Sequence, residues 1–219
     1  MKIKIAFAIT CIFLIFSFTV NAQLKGIDEN GKSVLLFSNG TWRYDVDSLS
    51  SNTPATDSIS INHSVFSKPS TANFLIKSNV LNVGVYFNTT KWSVKPHGAN
   101  ESEPEYRFEL KNNDGYALLL TERTQIDIAE MRDIALLNAQ KAAPDAKIVN
   151  SEYRQVNGLK MLCLEITGST RSIKFKYFGY YYSNENGTVQ LVTFSSQNLF
   201  NELKSDLQDI LNGLIEVKK

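Results

Sequence analysis

The stretch Ser172-Ile173-Lys174-Phe175-Lys176-Tyr177-Phe178-Gly179-Tyr180-Tyr181-Tyr182-Ser183 decides the fold. Its aromatic and β-branched residues favour an extended chain, in which successive side chains alternate between faces. Ile173, Phe175, Tyr177 and Tyr181 then share one face, while Phe178, Tyr180 and Tyr182 share the other with Lys174 and Lys176. A strand with one wet face alternates bulky with polar residues. This one is bulky on both faces, so both must be covered. Two helical patterns flank it in the chain. At about 126–142, Ile128, Met131, Ala135 and Ala139 form a stripe with Ile134 and Leu137 beside it; Asp127 sits in the first turn and Pro144 stops the run. At about 198–212, Phe200, Leu203, Leu207, Ile210, Leu211 and Leu214 recur at helical spacing, with Asn198 as N-cap and Gly213 past the end. One helix on each face predicts an α+β fold: a three-layer α/β/α sandwich around a mostly antiparallel sheet.

Tight turns make the sheet antiparallel. Val83–Phe87 reads as a strand leading on to Lys91–Val94. Tyr106–Leu110 and Tyr116–Leu120 flank Asn112-Asn113-Asp114-Gly115 and read as a hairpin. Lys147–Val156 and Leu159–Ile166 flank Asn157-Gly158, and a turn is expected at Gly168-Ser169-Thr170. Asn186-Gly187 turns the aromatic strand into Thr188–Phe194.

Ahead of this domain, expected over 73–219, the chain changes character three times. Residues 1–22 place Lys2 and Lys4 before an uncharged apolar run, then Val20-Asn21-Ala22 at a small-residue cleavage site, the layout of a secretory signal peptide. The apolar run is short for a membrane span. Residues 23–46 read as a small β module, with turns at Asn30-Gly31 and Asn39-Gly40 and with Trp42 and Tyr44 on one face of its last strand. In 47–72, eight Ser, three Thr, two Pro, two Asn and two Asp fill 17 of 26 positions, which predicts a disordered linker.

Composition narrows the function classes. Of 219 residues, 23 are Lys or Arg and 22 are Asp or Glu. Without Lys2 and Lys4, 21 basic residues face 22 acidic ones. That balance excludes nucleic-acid binding driven by bulk charge. Two histidines, His63 and His97, are too few for a multi-histidine metal site, and no cofactor motif is present. Cleavage after Ala22 would remove Cys11 and leave Cys163, inside an apolar strand, as a buried core thiol.

The order of elements resembles the PsbP-like superfamily, which holds the extrinsic photosystem II proteins, the Ran-binding import factor of yeast and many small exported bacterial proteins. The resemblance runs from Trp92 to Leu214. It lies in the strand ending at Trp92, the Val156-Asn157-Gly158 turn after a helix and strand, the Phe175–Tyr182 strand paired with Gly187–Phe194, and the helix ending Leu211-Asn212-Gly213-Leu214. It implies an antiparallel sheet between helices and no shared catalytic residues. The signal peptide ending Asn-Ala-Gln, and the Gly-Lys-x-Val-Leu-Leu pattern of the β module, resemble exported Bacteroidetes proteins.

The expectation is therefore a non-enzymatic accessory or binding protein of the bacterial envelope, periplasmic or extracellular. Its partner would be an envelope protein or a ligand, met by aromatic anchors among Trp42, Tyr44, Tyr180 and Tyr182. The alternative is an envelope hydrolase using Glu122 and Glu165 as an acid/base pair, which requires both carboxylates in one cleft.

Overall fold

The computed structural model describes residues 24–27, 33–36, 42–44, 59–96, 104–170 and 173–218. The chain divides into two units, Met1–Asp57 and Ser58–Lys219. In the first, β1 (Leu24–Ile27), β2 (Ser33–Leu36) and β3 (Trp42–Tyr44) form an antiparallel sheet in that order. Its register sets Trp42 opposite Leu36 and Tyr44 opposite Val34. The expected signal peptide lies outside the described residues.

The second unit runs β4 (Ser60–Phe66), β5 (Phe74–Lys77), β6 (Val83–Phe87), β7 (Trp92–Pro96), β8 (Tyr106–Leu110), β9 (Gly115–Glu122), α1 (Met131–Ala142), β10 (Lys147–Val156), β11 (Leu159–Thr170), β12 (Ile173–Asn184), β13 (Gly187–Ser196), α2 (Gln197–Leu211) and β14 (Leu214–Glu216). Eight strands form one sheet in the order β4-β10-β11-β12-β13-β9-β8-β7, and β14-β6-β5 form a second. Every neighbouring pair is antiparallel except β4 beside β10.

The two-faced strand behaves as its pattern requires. Phe178 and Tyr180 of β12 join Met161, Cys163, Leu119, Leu191 and Phe108 in a core closed by Phe200, Leu203, Leu207, Ile210 and Leu211 of α2. Val83, Val85 and Phe87 of the small sheet pack into the same core. Phe175 and Tyr181 face the other way and join Leu162, Leu164 and Ile166 under Met131, Ala135 and Ala139 of α1. Consecutive residues such as Leu162 and Cys163 thus enter separate cores, and the helices lie on opposite faces of the sheet. Each fully buried Phe or Leu contributes about 1.5–3 kcal/mol relative to exposure. α1 packs on β10 and β11. Beyond it, that face is continued by rings: Phe175–Tyr177 at 4.6 Å, Tyr177–Phe194 at 5.6 Å and Phe194–Tyr116 at 5.3 Å between centroids.

Several local expectations are corrected. The disordered linker expected over 47–72 fails at Ser60–Phe66, which is an edge strand of the main sheet. Its serine-rich composition hid a strand because pairing with β10 supplies what side-chain burial does not. Val83–Phe87 and Trp92–Pro96 belong to different sheets, with the turn at Asn88 between them. The first helix begins at Met131; Asp127 caps the preceding turn by accepting from the Ala129 amide. Gly168–Thr170 is not a turn, since those residues pair with Phe175–Ile173 and lengthen the hairpin. Ser196, not Asn198, precedes the second helix. Leu214 leaves the helical stripe to begin β14. Gly213 is required for closeness: a Cβ there would lie 1.8 Å from the Tyr86 carbonyl oxygen.

Asn157 ties three elements together. It sits in the left-handed region at φ 51°, which asparagine tolerates, in the turn between β10 and β11. Its Nδ2 donates to the Asn212 and Leu214 carbonyls, both at 2.8 Å, and its Oδ1 accepts from the Lys68 amide at 2.8 Å. Asn157→Ala should cost about 2–3 kcal/mol in urea unfolding through three lost hydrogen bonds and a strained backbone. Asn157→Gly should recover about 1 kcal/mol of that by relieving the backbone alone.

Candidate functional site

The main sheet is split at one end. β11 and β12 pair from Thr170–Ile173 only as far as Leu162–Tyr181. Yet β11 begins at Leu159 and β12 continues to Asn184. Leu159–Met161 stay paired to β10 on one side, and Tyr182–Asn184 stay paired to β13 on the other. Across the seam between them there is no strand pairing. Alternate residues of an antiparallel strand aim their N–H and C=O groups at one neighbour, so each lip presents the donor and acceptor of one residue, Lys160 on one side and Ser183 on the other.

Different anchors hold the two lips apart. The β10–β11 tip is fixed by Asn157 to the ends of β4 and α2, where its amide also donates to the Phe66 carbonyl. The β12–β13 tip is fixed to the loop before α1: the Ile126 amide donates to Ser183 Oγ and Thr188 Oγ1, and Thr188 Oγ1 donates to the Thr124 carbonyl. On the opposite face, the Tyr182 hydroxyl and Asn184 Nδ2 both donate to Glu216 Oε1 of β14, at 2.5 and 2.9 Å. Gly187 lets this tip press against β9, for a Cβ there would lie 2.1 Å from the Glu122 carbonyl oxygen.

Two cavities, on opposite faces of the sheet, share Tyr182 as a lining residue. One, of about 330 Å³, has apolar walls from Leu81, Val83 and Val189 and the Tyr182–Asn184–Glu216 cluster. The other, of about 440 Å³, lies between Ile126–Ile128 and Gly158–Lys160. Both are within the range of small-ligand clefts. Glu216 is exposed, and its Oε2 accepts no hydrogen bond or ion pair from any described residue. Burial and, after it, the hydrogen bond to Glu216 push the Tyr182 hydroxyl above the ordinary phenol range, so it stays a proton donor to that carboxylate.

Beneath this end of the sheet lies a buried polar chain. Arg154 Nη1 donates to Tyr180 Oη at 3.0 Å, and Tyr180 Oη donates to Asn212 Oδ1 at 2.8 Å. Arg154 Nε pairs with Glu152, and its guanidinium lies 4.6 Å from the Phe66 ring centroid. Burial opposes the arginine charge, but Cys163, Tyr180 and Glu152 beside it more than offset that and raise its pKa. Tyr180 is fully buried and its hydroxyl is pushed up to about 12 by burial. It is a core residue, which removes it from the expected anchors. Cys163 is likewise buried, with its thiol pushed up to about 12 by burial, as an inert core cysteine should be.

The proposed carboxylate pair does not exist. Glu165 faces α2, where it pairs with Lys176 at 2.5 Å and Lys204 at 3.2 Å. Glu122 alternates with Thr121 and Leu119, which face the α2 side, so it lies on the α1 face at the exposed end of β9. The sheet separates the two. Burial disfavours the Glu165 charge, but hydrogen bonds from both lysines outweigh it and hold its pKa below the ordinary range, the reverse of a general acid. Among the described residues, no three His, Cys, Asp or Glu side chains are placed to hold a metal.

Of the two expected anchors whose side chains are described, Tyr182 borders both cavities and Tyr180 lies in the core. Trp42 and Tyr44 lie on the β3 backbone of the first unit. Glu216 and Asn184 escaped the sequence reading, and Asn157 was read there only as a turn residue. A lone acid after Leu214-Ile215 carries no motif, and the three-residue strand that places it was hidden behind the helical stripe.

A solved structure shares this arrangement of strands and helices. The cyanobacterial PsbP of Synechocystis sp. PCC 6803 superposes with a TM-score of 0.51 at 10% identity, over 65% of this chain and 91% of that one. The main domain has a PsbP-like fold. LpqN of Mycobacterium tuberculosis, described as involved in cell envelope biogenesis, gives 0.48 at 11% identity over 66% and 90% of the two chains. A Bacteroides thetaiotaomicron protein gives 0.44 at 8% identity over 68% and 50%. Identity this low speaks to fold alone. No protein-family model and no curated protein sequence matches the chain. Among the described residues of the PsbP-like domain, no helix is long and apolar enough to cross a membrane.

The ion pairs of Glu165 give an acid limb to stability. Because its folded pKa is depressed, its contribution is present above the unfolded carboxylate value of 4.5 and is lost as pH falls through the folded value. Glu165→Gln should cost about 1–2 kcal/mol at pH 7 and flatten the loss of stability below about pH 5, read by urea titration across pH. An unchanged acid limb would show that these pairs do not couple to folding.

Proposed function

We propose that this chain is a non-enzymatic accessory protein of the bacterial cell envelope. In this reading its PsbP-like domain binds a partner or ligand at the split end of the sheet. The observation that carries the reading is that two cavities, one on each face, are lined by Tyr182 beside two unpaired strand tips. A well-packed sheet closes such a seam. Here both lips are held open by dedicated side-chain bonds from Asn157, Ser183, Thr188 and Glu216. The site offers hydrogen bonding and shape. It has no activated nucleophile and no acid/base couple among the described residues, which favours binding over catalysis.

Export is supported by the Lys2, Lys4 and Val20-Asn21-Ala22 pattern of the N-terminal segment. The small β module with Trp42 and Tyr44, joined by the serine-rich stretch that follows, is a second contact in this account. Tethering raises its effective concentration near whatever the main domain holds. The Asn-Ala-Gln ending favours a Bacteroidetes source.

A photo-crosslinking amino acid at position 182 should capture one discrete envelope component in cells. The same probe at Leu137, exposed on the outer side of α1, should not. Capture from position 137 or from the module alone, with none from 182, would move the binding site away from the split.

A further inference from the structure

Resting on the reading of the split sheet as the binding site, the geometry points to its occupant: an extended polypeptide segment that lays its backbone along the open lips and sends one lysine or arginine side chain into the cavity at Glu216. Three independent features of the site call for that chemistry.

The first is the backbone. Lys160 and Ser183, the middle residues of the two tips, aim their N–H and C=O groups into the gap, and no strand pairs with either there. Each presents one donor beside one acceptor, the pairing that a residue of an extended chain returns.

The second is charge. Glu216 Oε1 is filled by Tyr182 and Asn184, which fixes the carboxylate plane, while Oε2 accepts from no described residue. An oriented carboxylate with one open oxygen at the wall of a cavity accepts an ammonium or guanidinium group.

The third is the wall. Leu81, Val83 and Val189 line the same cavity as Glu216, with Lys218 also in its lining. Lysine and arginine carry an aliphatic stem behind a charged head, and a cavity with apolar walls and a carboxylate fits both parts. A short apolar side chain would leave the carboxylate unmet, and an acidic one would be repelled by it.

The test uses three peptides, acetyl-Thr-Val-Lys-Val-Thr-amide and its norleucine and glutamate counterparts, titrated into the exported chain while amide resonances are followed. The lysine peptide should shift Leu159–Met161, Tyr182–Asn184 and Glu216 and bind about tenfold tighter than the other two. Glu216→Gln should abolish that preference while leaving resonances far from the cavity in place, which shows the fold intact. Equal affinity for the three peptides, or shifts confined to other surfaces, would overturn the assignment. Capture of a partner from position 182 combined with equal peptide affinities would overturn the basic-peptide class and leave the site standing. Absence of both capture and shifts at the lips would remove site and occupant together.

Discussion

Water must be kept from both faces of one strand, and the architecture follows from that constraint. β12 carries Phe178 and Tyr180 on one side and Phe175 and Tyr181 on the other, all nearly or fully buried. A helix on a single side would leave half of these rings wet, at a cost of about 1.5–3 kcal/mol for each large side chain. α1 and α2 resolve this from opposite faces, and the small β14-β6-β5 sheet extends the α2 layer over β9 and β8. The strand is central, so its neighbours inherit the same alternation: Leu162 and Leu164 go to the α1 core, and Met161 and Cys163 go to the α2 core.

Coverage from both sides also explains where the sheet opens. In the middle of β12, large side chains press into continuous cores. Towards its end the residues turn polar, as Tyr182, Ser183 and Asn184, and each finds a partner outside the sheet: Glu216 above, the Ile126 amide below. The adjacent tip of β10–β11 is claimed by Asn157 and its bonds to the backbone after α2. Two hairpins packed between the same two cores through their length are thus drawn to different anchors at their ends. Stability and the candidate site are built from the same contacts, which places the candidate site on rigid elements.

The fold was legible because it is written in alternation. Phe175 and Phe178 fall on opposite faces in any extended chain, and the apolar stripe of α2 needs only a 3.6-residue period to be read. What escaped was written in pairing. Ser60–Phe66 looks like linker because six of its seven residues are exposed or only partly buried small, polar or β-branched side chains, and its place comes from the ladder with β10. The extension of β11 through Gly168 was hidden by a glycine that reads as a turn, but Gly168 sits against the Phe175 ring and Ala143, where a side chain has no room. The candidate site was half legible for a related reason. Tyr182 drew attention as an aromatic, whereas Tyr180, two residues earlier on the same face, proved to be a structural hydroxyl bridging Arg154 and Asn212. Only the depth of each residue along the strand separates these roles. Glu122 and Glu165 illustrate the same limit, since acids that look equivalent in sequence lie on opposite sides of a sheet.

Hydrogen exchange on the free protein tests the open seam most directly. The seam-facing amides of Lys160 and Ser183 should exchange orders of magnitude faster than those of Leu162, Leu164, Ile166, Tyr177, Gly179 and Tyr181 on the same two strands, because only the latter are bonded between β11 and β12. Uniform protection along the full length of β11 and β12 would show that the strands close completely in solution, and the site described here would not exist.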